Sequence, residues 1–266
     1  MPVVKLLIPF LLSLLFIACG CDSSTSANDS DDDVSSKSSS SRKTVSSSSD
    51  KVIEHVDPAD VIVASMTDAR DGQTYKTVKI GAQTWMAENL NYEKANSYCY
   101  NDDSANCAKY GRLYTWAAAV GKPEDECGYE HVCYLDKGDV RGVCPEGWHL
   151  PSRAEWAVLI VAVDGYITEY KKENTAGEVL MSTFGWTRSS KSVYGTDAFS
   201  FSALPAGDRD WKGDSCDEGE NAYFWSSTED NGYNAYIVSL TYISDYAFLY
   251  YFNNKNYALS VRCLKD

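Results

Sequence analysis

Three kinds of side chain in this 266-residue sequence could do chemistry: nine cysteines, three histidines and an acidic run around residue 210. A cysteine can serve as a thiolate nucleophile, a metal ligand or half of a disulfide, and spacing helps to separate these roles. Cys99 and Cys107 close the segment CYNDDSANC, and Cys127 and Cys133 close CGYEHVC. Neither is a zinc set, because no second C-x-x-C or histidine pair accompanies it. Two local disulfides are therefore expected, with Cys144 and Cys263 as a long-range third. Closing that loop is worth about 4 to 5 kcal/mol in the chain-entropy picture. Cys21 and Cys216 are left over. For Cys216 a free thiol, a bridge to Cys21 and an intermolecular bond all remain open, and its acidic neighbours argue against a reactive thiolate.

His55, His131 and His149 are too scattered to make a metal triad by spacing. His149, between Trp148 and Leu150, reads as a packed ring whose nitrogens bond to backbone. No G-x-S-x-G elbow and no phosphate-binding loop is present. The stretch GDRDWKGDSCDEGEN, residues 207–221, carries the weak metal candidates Asp208, Asp210 and Asp214. It opens like a calcium loop, with Gly213 at the sixth place. Lys212 at the fifth and Gly219 at the twelfth break the pattern, so a solvated acidic loop is expected. No cofactor follows from these residues beyond the option of a structural calcium. Ligand-stacking candidates are Trp211, Trp225, Tyr246 and Tyr250. On a strand Tyr246, Phe248 and Tyr250 share one side, and with the tryptophans nearby they would form a platform for polysaccharide or a protein partner. The competing expectation is that these rings fill a two-sided sandwich.

The elements that position these residues can be read from periodicity. Tyr75 and Val78 to Ile80 mark one strand and Gln83 to Met86 another. Leu113, Trp116, Ala117 and Val120 fall at helical spacing, which predicts a helix from Ala108 to Val120 stopped by Gly121. Ser152 and Glu155 make an S-x-x-E capping box, so a second helix begins near Arg153. Trp156, Leu159, Ile160 and Val163 are its buried stripe, and Asp164-Gly165 ends it. A short helix is marked weakly over 175–182. Strands follow at 224–227, 235–242, 247–251 and 258–264, with turns at Asn231-Gly232 and 253–256. Leu259, Val261 and Cys263 share one face of the last. The class is α+β: two main helices beside antiparallel strands, with long loops, linked by disulfides.

The N-terminal fifth differs in kind. Lys5 precedes the apolar run 6–17, too short to span ~30 Å of hydrocarbon comfortably. The ending FIAC resembles a bacterial lipobox, so residues 1–18 are expected to be a lipoprotein signal peptide and Cys19 the lipidated residue. Residues 22–50 contain 14 serines and no aromatic residue, which makes 19–50 a disordered Ser/Asp-rich tether. Residues 51–67 connect it to a domain at 68–266. All 19 tyrosines and 7 tryptophans lie after residue 50. The net charge of −14 opposes nucleic acid and anionic membrane surfaces as partners. The membrane contact expected is through the N-terminal lipid, at the outer membrane or cell surface.

Five blocks, DGQTYKTVKIGAQTWMAENLNY, YCYNDDSANCAKYGRLYTWAAA, VCPEGWHLPS, AYFWSSTE and SVRCLKD, occur here in that order. In this the sequence resembles the Fibrobacter succinogenes major paralogous domain over about Asp68 to Asp266. The resemblance implies an exported protein, often a lipoprotein with a Ser-rich linker, and no established activity. A more distant similarity, clearest at Gly147 to Trp156 and Val261 to Cys263, is to the formylglycine-generating, sulfatase-modifying group. That similarity implies a C-type-lectin-like fold. The chemistry of that group rests on a pair of copper-binding cysteines near the C-terminus, and residues 237–261 here contain no cysteine. The EPN, QPD and WND motifs of calcium-dependent sugar-binding lectins are also missing. The expectation is a surface lipoprotein with a non-catalytic binding or adhesion module. The alternatives are a divergent formylglycine-type or carbohydrate-active enzyme, or a structural coat protein.

Overall fold

A computed structural model describes residues 55–135, 138–164, 175–249 and 252–266. Fourteen strands can be followed in them: β1 Ile62–Thr67, β2 Thr74–Ile80, β3 Gln83–Met86, β4 Ser97–Tyr98, β5 Leu113–Tyr114, β6 Trp148–His149 and β7 Asp208–Arg209, then β8 Ser215–Cys216, β9 Asn221–Glu229, β10 Asn234–Thr241, β11 Ala247–Phe248, β12 Phe252–Asn254, β13 Leu259–Ser260 and β14 Leu264–Lys265. The helices are α1 Ser104–Tyr110, α2 Trp116–Val120, α3 Glu124–Cys127, α4 Arg153–Asp164 and α5 Ala176–Leu180. One sheet runs β1-β2-β3-β14-β6. A second runs β11-β10-β9-β13-β5-β4, with β12 also on β10, and β7 pairs with β8 alone. Among these strands pairing is antiparallel except where β13 meets β9. The class is α+β, as the periodicity predicts. Among the described residues no helix is long and apolar enough to cross a membrane.

The capping box is present and starts the longest helix. The Ser152 amide donates to Glu155 Oε2 at 2.7 Å and the Glu155 amide to Ser152 Oγ at 3.3 Å, so two otherwise orphaned donors are satisfied reciprocally. Trp156, Leu159, Ile160 and Val163 are all buried. Trp156 packs on Trp85 of β3 with ring centroids 4.6 Å apart and on Phe224 of β9 at 5.6 Å, joining the helix to both large sheets. Burying rings of this size supplies much of the core's hydrophobic stabilisation.

The other predicted helix is broken. Helix α1 ends at Tyr110, the chain passes through β5, and α2 starts anew at Trp116. Gly111 is the cause: its φ is +76°, and a Cβ there would lie 2.8 Å from the Asn89 carbonyl oxygen and 2.9 Å from that of Leu90. The close approach lets the Arg112 amide reach the Leu90 carbonyl, which turns the following residues into a strand. Gly121 ends α2 in the left-handed conformation, as read from sequence.

The predicted strand at 258–264 is also two strands. Residues Leu259 and Ser260 lie in the larger sheet, Leu264 and Lys265 in the other, and the chain crosses between them. Arg262 makes the crossing. It is fully buried, donates to Asn89 Oδ1 at 2.6 Å, Phe201 O at 2.6 Å, Ser202 O at 2.8 Å and Met86 O at 3.2 Å, and lies over the Phe201 ring. Burial pulls its pKa down to about 9, with Asp197 and Glu88 opposing, so it carries its charge at neutral pH. Leu259, Val261 and Cys263 are buried, as the shared face predicts.

Candidate binding surface

The three expected disulfides form: Cys99–Cys107, Cys127–Cys133 and Cys144–Cys263. Cys216, buried in β8, is disulfide-bonded as well, which removes the free-thiol reading. Cys19 and Cys21 lie outside the described residues, as does the expected lipid site.

Of the aromatic platform read from sequence, Trp225 is not available to a ligand. Trp225 is completely buried, and its indole N–H donates to the Tyr114 carbonyl at 2.7 Å. Its place in β9 turns it inward, so it is a core residue and cannot stack on a ligand from solvent. Trp211 is 60% exposed, with the Lys212 ammonium 5.1 Å from its ring. Tyr246 is half-buried, edge-on to Phe248 at 6.0 Å, and Tyr250 lies outside the described residues.

The acidic loop is a tight hairpin. Asp210 Oδ1 accepts from the amides of Lys212 and Asp214, both at 2.8 Å, so its carboxylate closes the turn. Asp208 is buried in β7. Burial first, then the charges of Asp217 and Asp210, push its carboxyl up to about 7. Among the described residues, Asp208, Asp210 and Asp214 do not bring three ligand atoms together within 4.8 Å. One set that does is Asp139, His149 and Glu155.

His149 corrects the sequence reading in a second way. Its nitrogens bond to carboxylates and not to backbone: Nδ1 lies 2.8 Å from Asp266 Oδ1 and Nε2 2.9 Å from Glu155 Oε1. Burial is the largest influence and works to lower its pKa. The hydrogen bonds from Glu155 and Asp266, with the charges of Glu155 and Asp139, outweigh it and raise the value to about 9.

A surface that sequence reasoning missed sits at the Cys127–Cys133 loop. Tyr129 and Tyr233 meet edge to face at 5.2 Å, yet stay 38% and 51% exposed, and Val132 beside them is exposed too. The Tyr233 turn is fixed by Asn231, whose Oδ1 accepts the amides of Tyr233 at 2.8 Å and Asn234 at 3.0 Å. Gly232 lies against Val132, where an added Cβ would be in ordinary contact at 3.5 Å. Beneath the loop lies Lys255, fully buried. Its ammonium donates to the His131 carbonyl at 2.7 Å and to Glu229 Oε1, and stands 4.6 Å from the Trp116 ring. The same Glu229 oxygen accepts the Cys133 amide at 2.8 Å. The disulfide and the buried ion pair thus hold two exposed rings in place, which lowers the ordering cost of any contact they make. The sequence signal was a tyrosine inside a six-residue disulfide spacing, together with the N-G-Y turn.

An open cavity of about 380 Å³ lies beside the Cys99–Cys107 bridge, lined by Asp71, Gln73, Asn91, Tyr92, Glu93 and Arg112 among others. Gln73 Nε2 donates to Asp71 at 2.6 Å and Asn91 Nδ2 to Gln73 at 3.1 Å, while Asn91 Oδ1 is buried without a partner among the described residues.

The family described as Fibrobacter succinogenes major domain matches residues 78–265. No curated protein and no solved structure matches the chain.

Proposed function

This chain belongs to the Fibrobacter succinogenes major domain family, and from that premise we propose that it is an exported surface lipoprotein whose folded part is a non-catalytic binding module for polysaccharide or a cell-surface protein. The observation that carries the reading is the exposed Tyr129–Tyr233 pair on a loop clamped by a disulfide and a buried lysine. Tyrosine suits such a surface, since it offers a rigid apolar face and a polar tip at small entropic cost. Trp211 is an exposed aromatic contact of the same kind on the β7–β8 hairpin. Disulfides accord with export, and a lipid on Cys19 would place the module at the cell surface on its serine-rich tether.

The finer fold reading belongs with this proposal. The two segments that resemble the formylglycine-generating group lie side by side, with His149 paired to Leu264 and Cys144 bonded to Cys263. That adjacency supports a C-type-lectin-like arrangement.

The test is a glycan array and a surface pull-down with the exported protein, with and without calcium. Saturable binding that falls at least tenfold in Tyr129→Ala/Tyr233→Ala, with an unchanged melting temperature, supports the module. Binding that survives in that variant and is lost in Trp211→Ala moves the site to the hairpin. No binding to any glycan or surface protein sinks the proposal. Fatty-acid labelling abolished by Cys19→Ser checks the anchor.

A further inference from the structure

We propose that Asp139, His149 and Glu155 form a binding site for a first-row divalent cation such as zinc or manganese, with Asp266 orienting the imidazole. Four separate pieces of chain build it. His149 ends β6 and pairs with Leu264, which brings Asp266, two residues further on, to its Nδ1. The capping box turns Glu155 back over the helix start toward Nε2. The Leu150 amide bonds to the Val140 carbonyl at 2.9 Å and so holds the Asp139 segment alongside.

The division of labour between atoms points to a metal. Glu155 Oε2 is taken by the amide and hydroxyl of Ser152, at 2.7 and 2.8 Å, which leaves Oε1, the atom beside His149 Nε2, outside the capping box. Asp266 on Nδ1 is the arrangement that fixes a metal-binding histidine: the outer carboxylate holds one ring proton, and the lone pair of Nε2 faces the ion. The 2.9 Å between Nε2 and Glu155 Oε1 is about what two ligands span at the right angle of an octahedral ion such as manganese; a tetrahedral zinc would spread them to about 3.4 Å, a small side-chain shift. Ligand atoms from Asp139, His149 and Glu155 all lie within 4.8 Å of one another. Asp139 is exposed, so the site opens on solvent and keeps room for water or a ligand's oxygen.

Charge favours the same occupant. Three carboxylates, Asp139, Glu155 and Asp266, surround one imidazole. A divalent ion among them offsets more of that negative charge than a monovalent one does. A nitrogen ligand with two carboxylates suits zinc or manganese better than calcium or magnesium, which prefer all-oxygen sets. The site does not depend on the tyrosine surface, and either proposal can fail alone.

The experiment is a calorimetric titration of the chelator-treated, full-length protein with zinc chloride, repeated with manganese. One ion per chain is expected, with affinity at least tenfold weaker in His149→Gln and in Asp139→Asn. Asp139→Asn is the decisive variant, because Asp139 is exposed and its loss leaves the bonds of His149 to Glu155 and Asp266 in place; its metal-free melting temperature, measured alongside, separates a lost ligand from a lost fold. Zinc bound equally well by Asp139→Asn and the parent would mean adventitious surface binding and overturn the site. So would nitrogen NMR showing both ring protons of His149 retained at saturating zinc.

Discussion

Lys255 and Arg262 are seven residues apart, both fully buried cations, and they do different work. Arg262 has no carboxylate in its bonding shell. It is held by an asparagine oxygen and three backbone carbonyls from two segments, and lies over an aromatic ring in the main core. Lys255 lies under an exposed loop, bonded to Glu229 and to the loop's His131 carbonyl. A planar, five-donor guanidinium can satisfy several fixed carbonyls at once; a compact ammonium serves as a pin between one carboxylate and one loop. Each has a disulfide beside it. Cys144–Cys263 spans 119 residues and sits next to Arg262, while Cys127–Cys133 spans six and sits over Lys255. The first region holds the two sheets together, and the second holds a surface.

The comparison is broken most severely at the long bridge. Cys144→Ala/Cys263→Ala should lose about 4 to 5 kcal/mol of unfolding free energy, against about 2 kcal/mol for Cys127→Ala/Cys133→Ala. Urea titrations of both variants measure the gap, and equal losses would mean the chain-entropy argument fails here. Arg262→Met comes next, at about 3 kcal/mol, because it strands the buried oxygens that the guanidinium satisfies. Lys255→Met should cost about 2 kcal/mol, since Glu229 keeps the Cys133 amide as a partner. Its distinguishing sign is faster hydrogen exchange confined to residues 128–133.

A third buried ionisable group sharpens the point, because among the described residues no cation pairs with Asp208. Its folded pKa, about 7, lies above the usual carboxylate value. The folded state therefore binds more protons than the unfolded chain between about pH 4 and 7, and stability falls as pH rises through that window. Asp208→Asn should flatten the fall and gain on the order of 2 kcal/mol at pH 8, with little change at pH 4. Melting temperatures at the two pH values decide it. The smallest effect on stability belongs to Tyr129→Ala/Tyr233→Ala, within about 1 kcal/mol, since both residues are already partly exposed.

What could be read in advance was local. The S-x-x-E box, the period of Trp156 to Val163, the Gln83–Met86 strand and the short cysteine spacings each depend on a few neighbouring residues, and each formed as expected. The errors arose where a distant segment intervened. Trp225 could not be told from an exposed ring, because a strand's inward face is defined only by what packs on it, here the Tyr114 carbonyl more than a hundred residues earlier. The 258–264 strand split because Arg262 had acceptors waiting around residues 86–89 and 201–202.

The sequence by itself determined the class of fold, three of the disulfides, the helix that begins at Arg153 and the block pattern that places the chain in its family. Short-range rules suffice for these: hydrogen bonding over three residues, periodicity over a dozen, and loop closure between cysteines. Only the tertiary structure decided which aromatic rings face water, which carboxylates surround His149 and which buried cation holds which region. Those outcomes depend on atoms brought together from segments up to 176 residues apart, and burial and charge pairing act on distance in space, not along the chain.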